Sequence, residues 1–184
     1  MKFTLAAGVA LAIGAQPVRA QDSVYHAKHV EPHGPQVVAI YIGATDCAPC
    51  VWPPLKEAVH AAWPLLEAQA LKAGLAFATL GIAMDEDVTS GVALLQPLDQ
   101  FDEVAIGAGW VNHGVADYIW ADTSATSGIP QIVVVQRTVG TSSDKSEWSV
   151  SPYQVLDRHT GADAIRRWVA QGAPVAALVN AKAR

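Results

Sequence analysis

The sequence predicts an α/β domain, because stretches typical of buried strands alternate with stretches of helical spacing. Residues 37–42 form a short apolar run rich in β-branched residues, which is typical of a strand covered on both faces. Apolar positions between 55 and 66 then recur at helical spacing, and residues 75–84 and 131–137 predict two further strands. This alternation is typical of a sheet with helices packed on it.

The first twenty residues have the pattern of a secretory signal peptide. Lys2 supplies a positive start, residues 3–15 are apolar or small, and residues 18–20 fit a small-x-small cleavage pattern. The apolar run is too short to cross a bilayer comfortably, and an uncleaved N-terminal helix is the alternative. We therefore predict cleavage after Ala20, no stable membrane insertion, and export to a bacterial periplasm, where disulfides form and persist.

The exported chain would have 184 − 20 = 164 residues, which is enough for one domain with a hydrophobic core. Hydrophobic residues make up 51% of the sequence, which argues against disorder. Without Lys2 and Arg19, 12 − 2 = 10 basic residues face 17 acidic ones, a net charge of −7. The sequence has no basic cluster, Walker pattern or dinucleotide-binding glycine pattern, so nucleic acid and anionic membrane are not expected partners.

Residues 21–35 are predicted to be a flexible lead-in to a domain that spans residues 36–172. They contain His26, His29 and His33 together with two prolines. A histidine cluster can indicate a metal site. Because this spacing is irregular, we favour a solvated linker and predict no resident metal.

Cys47 and Cys50 are the two cysteines of the chain and form a C-x-x-C motif between the first strand and the first helix. A thiol at a helix N-terminus faces unpaired N–H groups and the positive end of the helix dipole. Both favour the thiolate, which is the nucleophile of disulfide exchange. We therefore expect Cys47 to attack from the exposed side and Cys50, one turn into a helix over residues 50–73, to resolve the mixed disulfide. Pro49 lacks an N–H, which costs little in a first turn.

Three further residues of this helix carry structural predictions. Trp52 lies two places after Cys50 and borders the motif, whereas Trp63 is predicted to pack in the core. Pro64 falls inside the helix and is expected to kink or divide it.

The middle of the chain is predicted to contain an acidic loop and a helical insertion. Residues 85–87 are all acidic and predict a solvated loop, because further oxygen ligands for a cation are missing at useful spacing. Residues 88–127 predict one helix that ends near Pro97 and another that starts near Trp110. We assign Trp110 and Trp120 to the core of this insertion, with part of a substrate groove as the alternative.

The C-terminal part predicts a hairpin and a last helix. The strand at 131–137 is followed by a polar turn at 140–145 and an antiparallel strand at 148–156. Residues 157–160 lead to Gly161 and the final helix, with Trp168 on its buried side. Residues 173–184 are rich in alanine without a clear packing face and are predicted to fray.

Three stretches together resemble the thioredoxin-like superfamily, in its exported thiol–disulfide oxidoreductase type. They are the strand, C-x-x-C and helix described above, the segment GIPQIVVV at residues 128–135, and the segment GADAIRRWV at residues 161–169. The resemblance implies a central mixed sheet with helices on both faces and a helical insertion at about 88–127. It also implies a cis peptide bond before Pro130 and pairing of the Ile129 backbone with an extended substrate segment.

The function implied by the motif and the resemblance is thiol–disulfide exchange with exported proteins. Cys47 and Cys50 are the expected catalytic residues, and their disulfide is the only redox group we expect. The expected partners are exported protein thiols or disulfides and a redox partner protein. The candidate substrate-binding residues are Ile129, Pro130, Pro49 and Trp52.

Two departures from the family pattern bear on the reaction. Asp46 stands where a tryptophan usually precedes the first cysteine, and its carboxylate is expected to raise the pKa of the Cys47 thiol. Tyr41 stands where thioredoxin has a buried aspartate that assists proton transfer to the second thiol. The C-x-P-C arrangement resembles that of reducing members, so we favour the reductase or isomerase direction.

Two alternatives of a different class stay open. The domain could be a redox-inactive binding module in which Cys47–Cys50 is a structural disulfide. A copper or zinc site would need both thiols and a histidine, and the C-x-x-C segment contains no histidine, so we favour this alternative least.

Overall fold

The computed structural model describes residues 28–29, 34–121, 126–141, 148–176 and 178. The predicted signal peptide at 1–20 and the side chains of His26 and His33 lie outside the described residues. Within that part of the chain, no helix is long and apolar enough to cross a bilayer.

One mixed sheet forms the centre of the described chain. Its strands are β1 (Gly34–Gly43), β2 (Ala76–Ala83), β3 (Glu103–Ile106), β4 (Gln131–Thr141), β5 (Trp148–Val150) and β6 (Gln154–Thr160). β1 is central, parallel to β2 and antiparallel to β4, while β3 extends the sheet in parallel beyond β2. β5 and β6 both pair antiparallel with β4. The predicted α/β class, a central mixed sheet with helices on both faces, is confirmed.

Helices cover both faces of the sheet. Successive side chains of β1 point to opposite faces, and since nearly all of them are apolar, both faces have to be buried. The helical elements are α1 (Pro53–Lys72), α2 (Val88–Leu95), a 3₁₀ turn (Gly109–Val111), α3 (His113–Val115), a π-helical turn (Ala116–Trp120) and α4 (Ala162–Ala170). Val37 and Ala39 pack into the core with α1 and α4. Val38 and Ile40 pack on the other face with Val115 and its neighbours. The sequence of β1 is almost continuously apolar because the strand is buried on both faces.

The first helix starts later than predicted. Residues 48–51 form a turn, and α1 begins at Pro53 with Trp52 at its N-cap. The prediction that Cys50 lies one turn inside the helix is therefore wrong. Pro53 and Pro54 explain the difference, since a proline is best accommodated in the first turn of a helix, where its missing N–H is not needed. The helix continues through Pro64 without being divided, and Trp63 is buried as predicted.

The segment predicted to be a helical insertion is helical at both predicted places but also contains a strand. α2 ends at Leu95, and the second helical stretch runs from Gly109 to Trp120 with a break at Asn112. Between them lies β3, which the sequence prediction missed. Its four residues are too few to carry a clear period-2 signal, and Glu103 and Val104 are exposed.

The predicted C-terminal hairpin is divided into two strands. β5 ends at Val150 and β6 begins at Gln154, so the predicted single strand at 148–156 is interrupted at Pro152. A proline has no N–H to donate to a strand ladder. β6 then continues to Thr160 through the stretch that was predicted to be a connection.

The described part of the C-terminal tail packs on the domain, so the prediction that it frays is wrong there. Ala173, Val175 and Leu178 are buried in the core beside α1. The Gln69 side chain of α1 donates to the Ala173 carbonyl at 2.9 Å and accepts from the Val175 N–H at 3.0 Å. The tail is therefore held by burial of its own three apolar side chains and by hydrogen bonds to the Gln69 side chain.

His29 is anchored to the domain, which contradicts its assignment to a solvated linker. Its side chain is 13% exposed, its backbone N–H donates to Asp102 Oδ1 at 2.7 Å, and its ring Nδ1 lies 3.0 Å from Asp102 Oδ2. The ring also meets Phe77 edge-on and lies 3.5 Å from a Glu67 carboxylate oxygen. The lead-in is therefore fixed at this residue.

Candidate functional site

Cys47 and Cys50 form a disulfide at the end of β1, and their accessibility differs. Cys47 is half-buried, whereas Cys50 is fully buried under the turn. The two sulfur atoms are therefore unequal: an incoming sulfur can approach Cys47 only. This difference is what a two-cysteine exchange reaction requires of its attacked and its resolving sulfur.

Two side-chain contacts hold the loop that carries these cysteines. Asp85, which follows β2 and is buried, accepts the Thr45 N–H at 3.0 Å and also the Thr45 hydroxyl. The prediction of a solvated loop is therefore wrong for Asp85, although Glu86 and Asp87 are exposed. On the other side of the turn, the buried Tyr41 hydroxyl donates to the Cys50 carbonyl at 3.2 Å.

The N-terminus of α1 offers Cys47 less positive charge than predicted. The first two helical positions are Pro53 and Pro54, so neither has an N–H. The next N–H groups, of Leu55 and Lys56, both bond to the Trp52 carbonyl. Few free N–H groups therefore remain in this first turn to stabilise a thiolate.

The loop before β4 lies against the disulfide. The Ile129–Pro130 peptide bond is cis, and the Ile129 carbonyl oxygen is 3.8 Å from Cys47 Sγ. Behind this loop, the Pro130 carbonyl accepts the Gly161 N–H at 2.8 Å, which ties the loop to the start of α4. The structure thus brings together Cys47, Cys50, Ile129 and Pro130 as predicted from the sequence.

Gln131 fixes the same loop from inside and was not identified from the sequence. Its fully buried side chain donates from Nε2 to the carbonyls of Thr126 and Gly128, at 2.7 and 2.6 Å, and accepts from Arg158 at 2.6 Å. The sequence did contain one signal, namely that Gln131 is a polar residue at the start of an otherwise apolar strand. A polar side chain buried there needs hydrogen-bond partners.

Pro49 and Trp52 line a depression between the C-x-x-C turn and the start of α4. Gly161, Asp163 and Arg167 lie on its other side. Trp52 is 39% exposed, and the Arg166 guanidinium carbon lies 4.8 Å from the centre of its ring. The two predicted residues are therefore accessible beside the disulfide.

A groove of about 570 Å³ opens on another part of the same site. Asp46 and Ile129 line its end near the disulfide, the acidic loop at 85–87 lines one wall, and Trp110 with Val111 lines another. Trp110 and Trp120 are 47% and 49% exposed, so their assignment to the core is wrong. Trp110 lines the groove, whereas Trp120 is not part of its lining and packs against Trp110. Asn112 is instead buried and caps α3.

The chemistry that these residues offer is sulfur exchange. Within the described residues, no group of three His, Cys, Asp or Glu side chains is placed to hold a metal ion. The site itself consists of a disulfide with one accessible sulfur, the Ile129 carbonyl beside that sulfur and two adjoining depressions.

Comparison with known proteins gives little further information. No protein-family model and no curated protein matches this chain. A solved structure described as MTB DsbF in its mixed oxidized and reduced forms is similar over 74% of this chain and 81% of that chain, with 13% identity and a TM-score of 0.30.

Proposed function

We propose that this thioredoxin-fold chain is a thiol–disulfide oxidoreductase that acts on exported proteins, working as a reductant. The observation that carries the proposal is the Cys47–Cys50 disulfide, with Cys47 half-buried beside the Ile129 carbonyl and Cys50 fully buried. A purely structural disulfide would not need one accessible sulfur facing a loop that can receive a substrate.

In the reducing direction, the Cys47 thiolate attacks one sulfur of a substrate disulfide. A Cys47–substrate disulfide forms, and the other substrate sulfur leaves as a thiolate that takes up a proton. The Cys50 thiol then loses its proton and attacks Cys47 Sγ, which re-forms the Cys47–Cys50 bond and releases the second substrate thiol. Two electrons and two protons pass from the protein dithiol to the substrate.

The substrate segment is expected to lie along the loop of Ile129 and Pro130. An extended chain can bond to the backbone of Ile129 as an added strand does. Pro130 has no N–H, so it presents no competing donor to the sulfur atoms. Pro49 and Trp52 offer an apolar surface for side chains that flank the substrate cysteine.

The surroundings of Cys47 favour the reducing direction. Thiolate stabilisation makes a pair of this kind oxidising, because it favours the reduced form. Here Pro53 and Pro54 remove two N–H groups from the helix terminus, Asp46 adds a carboxylate next to Cys47, and the Ile129 carbonyl oxygen faces the sulfur. All three features disfavour a thiolate, so the disulfide is favoured and the dithiol is a good reductant.

Export and a redox partner complete the proposal. The predicted signal peptide would place the protein in an oxidising compartment, where a reductant needs a second protein to return electrons to the Cys47–Cys50 pair. We expect that partner to react with Cys47 as well, since Cys50 is fully buried.

The reduction potential of the Cys47–Cys50 pair tests both the activity and its direction. Equilibration against a dithiothreitol series should give a value near that of thioredoxin, about −270 mV. A value near about −120 mV would make the protein an oxidant instead. A pair that stays oxidised throughout the series would indicate the redox-inactive binding module.

Trapping the intermediate provides the second test. The Cys50→Ala variant should accumulate a mixed disulfide through Cys47 with exported proteins, because the resolving thiol is absent. The matched Cys47→Ala variant should trap none, since its one remaining thiol is buried. Equal trapping by both variants would contradict the assigned roles.

A further inference from the structure

We propose that the groove beside Cys47 selects polypeptide segments that carry a basic side chain close to their cysteine. This inference rests on the proposed exchange activity and adds a substrate class to it. The groove is lined by Asp46, the loop at 85–87, Trp110, Val111 and Ile129, and it has a volume of about 570 Å³. This volume lies within the range of about 300–1,000 Å³ that is typical of ligand-binding clefts.

The groove is continuous with the site of exchange. Asp46 is the neighbour of Cys47 in the chain, and Ile129, whose carbonyl lies 3.8 Å from Cys47 Sγ, lines the same groove. A segment whose cysteine reaches Cys47 therefore has its flanking residues at this opening.

The walls of the groove carry negative charge only. Four carboxylate residues line it, and none of the Lys, Arg or His residues that the structure describes does. Asp85 and Asp87 already serve the fold, the first by holding Thr45 and the second by capping α2. Asp46 and Glu86 are exposed, and among the described residues neither side-chain carboxylate has a hydrogen bond or ion pair. Charge complementarity therefore points to a cationic segment.

The aromatic wall of the groove is formed by Trp110, which packs against Trp120 outside the lining. The rings of Trp110 and Trp120 lie 5.6 Å apart, and the Trp120 indole N–H donates to the Trp110 carbonyl at 2.9 Å. The backbone from Gly107 to Gly109 is left-handed throughout, including Ala108, and the N–H groups of Ala108 and Gly109 bond to the carbonyls of Glu86 and Asp85. The aromatic wall is thus tied to the acidic wall. An aromatic face beside carboxylates suits the long stem and charged head of Lys or Arg.

The test compares disulfide-linked peptides that differ only in charge. Three octapeptides with one central cysteine, flanked by Lys, Gln or Glu, are each oxidised to their homodisulfides. The reduced protein converts each homodisulfide into two peptide thiols while its own dithiol becomes the Cys47–Cys50 disulfide. Rates are divided by those with 2-mercaptoethanol, a neutral thiol, to remove differences in the intrinsic reactivity of the peptides.

We expect the Lys peptide to react roughly tenfold faster than the Glu peptide at low salt, as electrostatic steering into a charged cleft allows. The ratio should fall towards one at 1 M salt, where the screening length is about 3 Å. Glu86→Gln should lower it by about twofold to fivefold, the range that one exposed ion pair supports. Asp99→Asn is the matched control, because it removes one charge from the chain segment before β3, outside the groove lining.

The outcomes separate the two proposals. Equal corrected rates for the three peptides, or a ratio that Asp99→Asn lowers as much as Glu86→Gln does, would overturn the groove assignment while the exchange activity stands. No exchange with any peptide would overturn the exchange activity itself. A dimer in sedimentation that Glu86→Lys dissociates would assign the groove to a second copy of the chain and overturn the proposal as well.

Discussion

The Tyr41 hydroxyl lies under the C-x-x-C turn and donates to the Cys50 carbonyl oxygen at 3.2 Å. The Tyr41 side chain is fully buried, and the backbone of Gly43 passes over it so closely that a Cβ there would come within 2.6 Å of the hydroxyl oxygen. Tyr41 therefore occupies the space beneath the turn and supports Cys50 through a backbone contact. At the position where thioredoxin has a carboxylate, this chain has a group that stays neutral.

Tyr41→Phe should destabilise the oxidised protein by about 0.5–1.5 kcal/mol, the net value of one hydrogen bond. Burial raises the pKa of Tyr41, so the unfolded chain ionises first as the pH rises above about 10. The stability that Tyr41 contributes is then present below pH 10 and is lost above it. Urea unfolding between pH 7 and 11 should show a weaker alkaline loss in the variant. Part of the alkaline loss of stability should remain in the Tyr41→Phe variant, because burial also raises the pKa of Tyr118. An unchanged alkaline profile would contradict this account.

Thr45→Val should loosen the loop that carries Cys47. The substitution keeps the size of the side chain and removes the hydroxyl that donates to Asp85, while the Thr45 N–H can still bond to the same carboxylate. We expect a loss of about 1–2 kcal/mol in the free energy of unfolding, since the lost bond has a charged acceptor. Exchange with 2-hydroxyethyl disulfide should slow as well. Thr45→Ser retains the hydroxyl and should behave as the wild type; an equal loss in both variants would assign the effect to packing.

Gln131→Leu should release the loop of Ile129 and Pro130. The change removes two donors to the carbonyls of Thr126 and Gly128 and one acceptor for Arg158. We expect a destabilisation of about 1–3 kcal/mol, because buried carbonyls lose their partners, and a lower rate of exchange with peptide disulfides. Gln136→Leu on the same strand is the control, since Gln136 is only half-buried. A Gln131→Leu protein with wild-type exchange kinetics would remove Gln131 from the support of the site.

The features that were predicted correctly are those encoded by a few adjacent residues. The apolar run of β1, the C-x-x-C motif and the loop before β4 were all placed correctly, because each is encoded within a few adjacent residues. The start of α1 was predicted at about Cys50, three residues too early, whereas Pro53 and Pro54 occupy the first two helical positions. Trp110 and Trp120 were assigned to the core because composition does not show which face of a short helical segment is covered.

Contacts between distant parts of the chain could not be predicted in this way. His29 and Asp102 are 73 positions apart, yet the histidine is held against that carboxylate by two contacts. Nothing near His29 in the sequence distinguishes it from His26 or His33. The pairing depends on the register of β2 and β3, which places Asp102 beside Thr79. Such a contact follows from the fold and not from a motif.

Asp102→Asn should weaken the attachment of the lead-in and the β2–β3 pair. Burial alone would raise the pKa of Asp102, but hydrogen bonds from His29 and Thr79 outweigh it, and the pKa lies below its ordinary value. A depressed pKa means that the carboxylate stabilises the fold above the unfolded-state pKa of about 3.9 and that this stabilisation is lost as the pH falls through the folded value. We expect a loss of about 1.5–3 kcal/mol at pH 7. Urea unfolding at pH 7 and pH 2.5 should show the difference between variant and wild type shrink in acid, with Asp99→Asn as a control that shows little difference at either pH.

Replacing both Pro53 and Pro54 by alanine should make the Cys47–Cys50 pair more oxidising. The substitution restores two N–H groups to the first turn of α1, three and four residues after Cys50. A charge at a helix terminus is worth about 0.3–1 kcal/mol, so the pKa of the Cys47 thiol should fall by less than about one unit, because one unit corresponds to about 1.4 kcal/mol. Thiolate absorbance in the ultraviolet during a pH titration of the reduced protein measures this shift, and the dithiothreitol equilibrium measures the accompanying rise in reduction potential.

Asp46→Asn, which acts on the same thiolate from the other side, should change both quantities in the same direction. A double alanine variant with an unchanged thiol pKa would show that the two prolines serve only to start the helix, and the reducing direction would then have to depend on Asp46 and the Ile129 carbonyl.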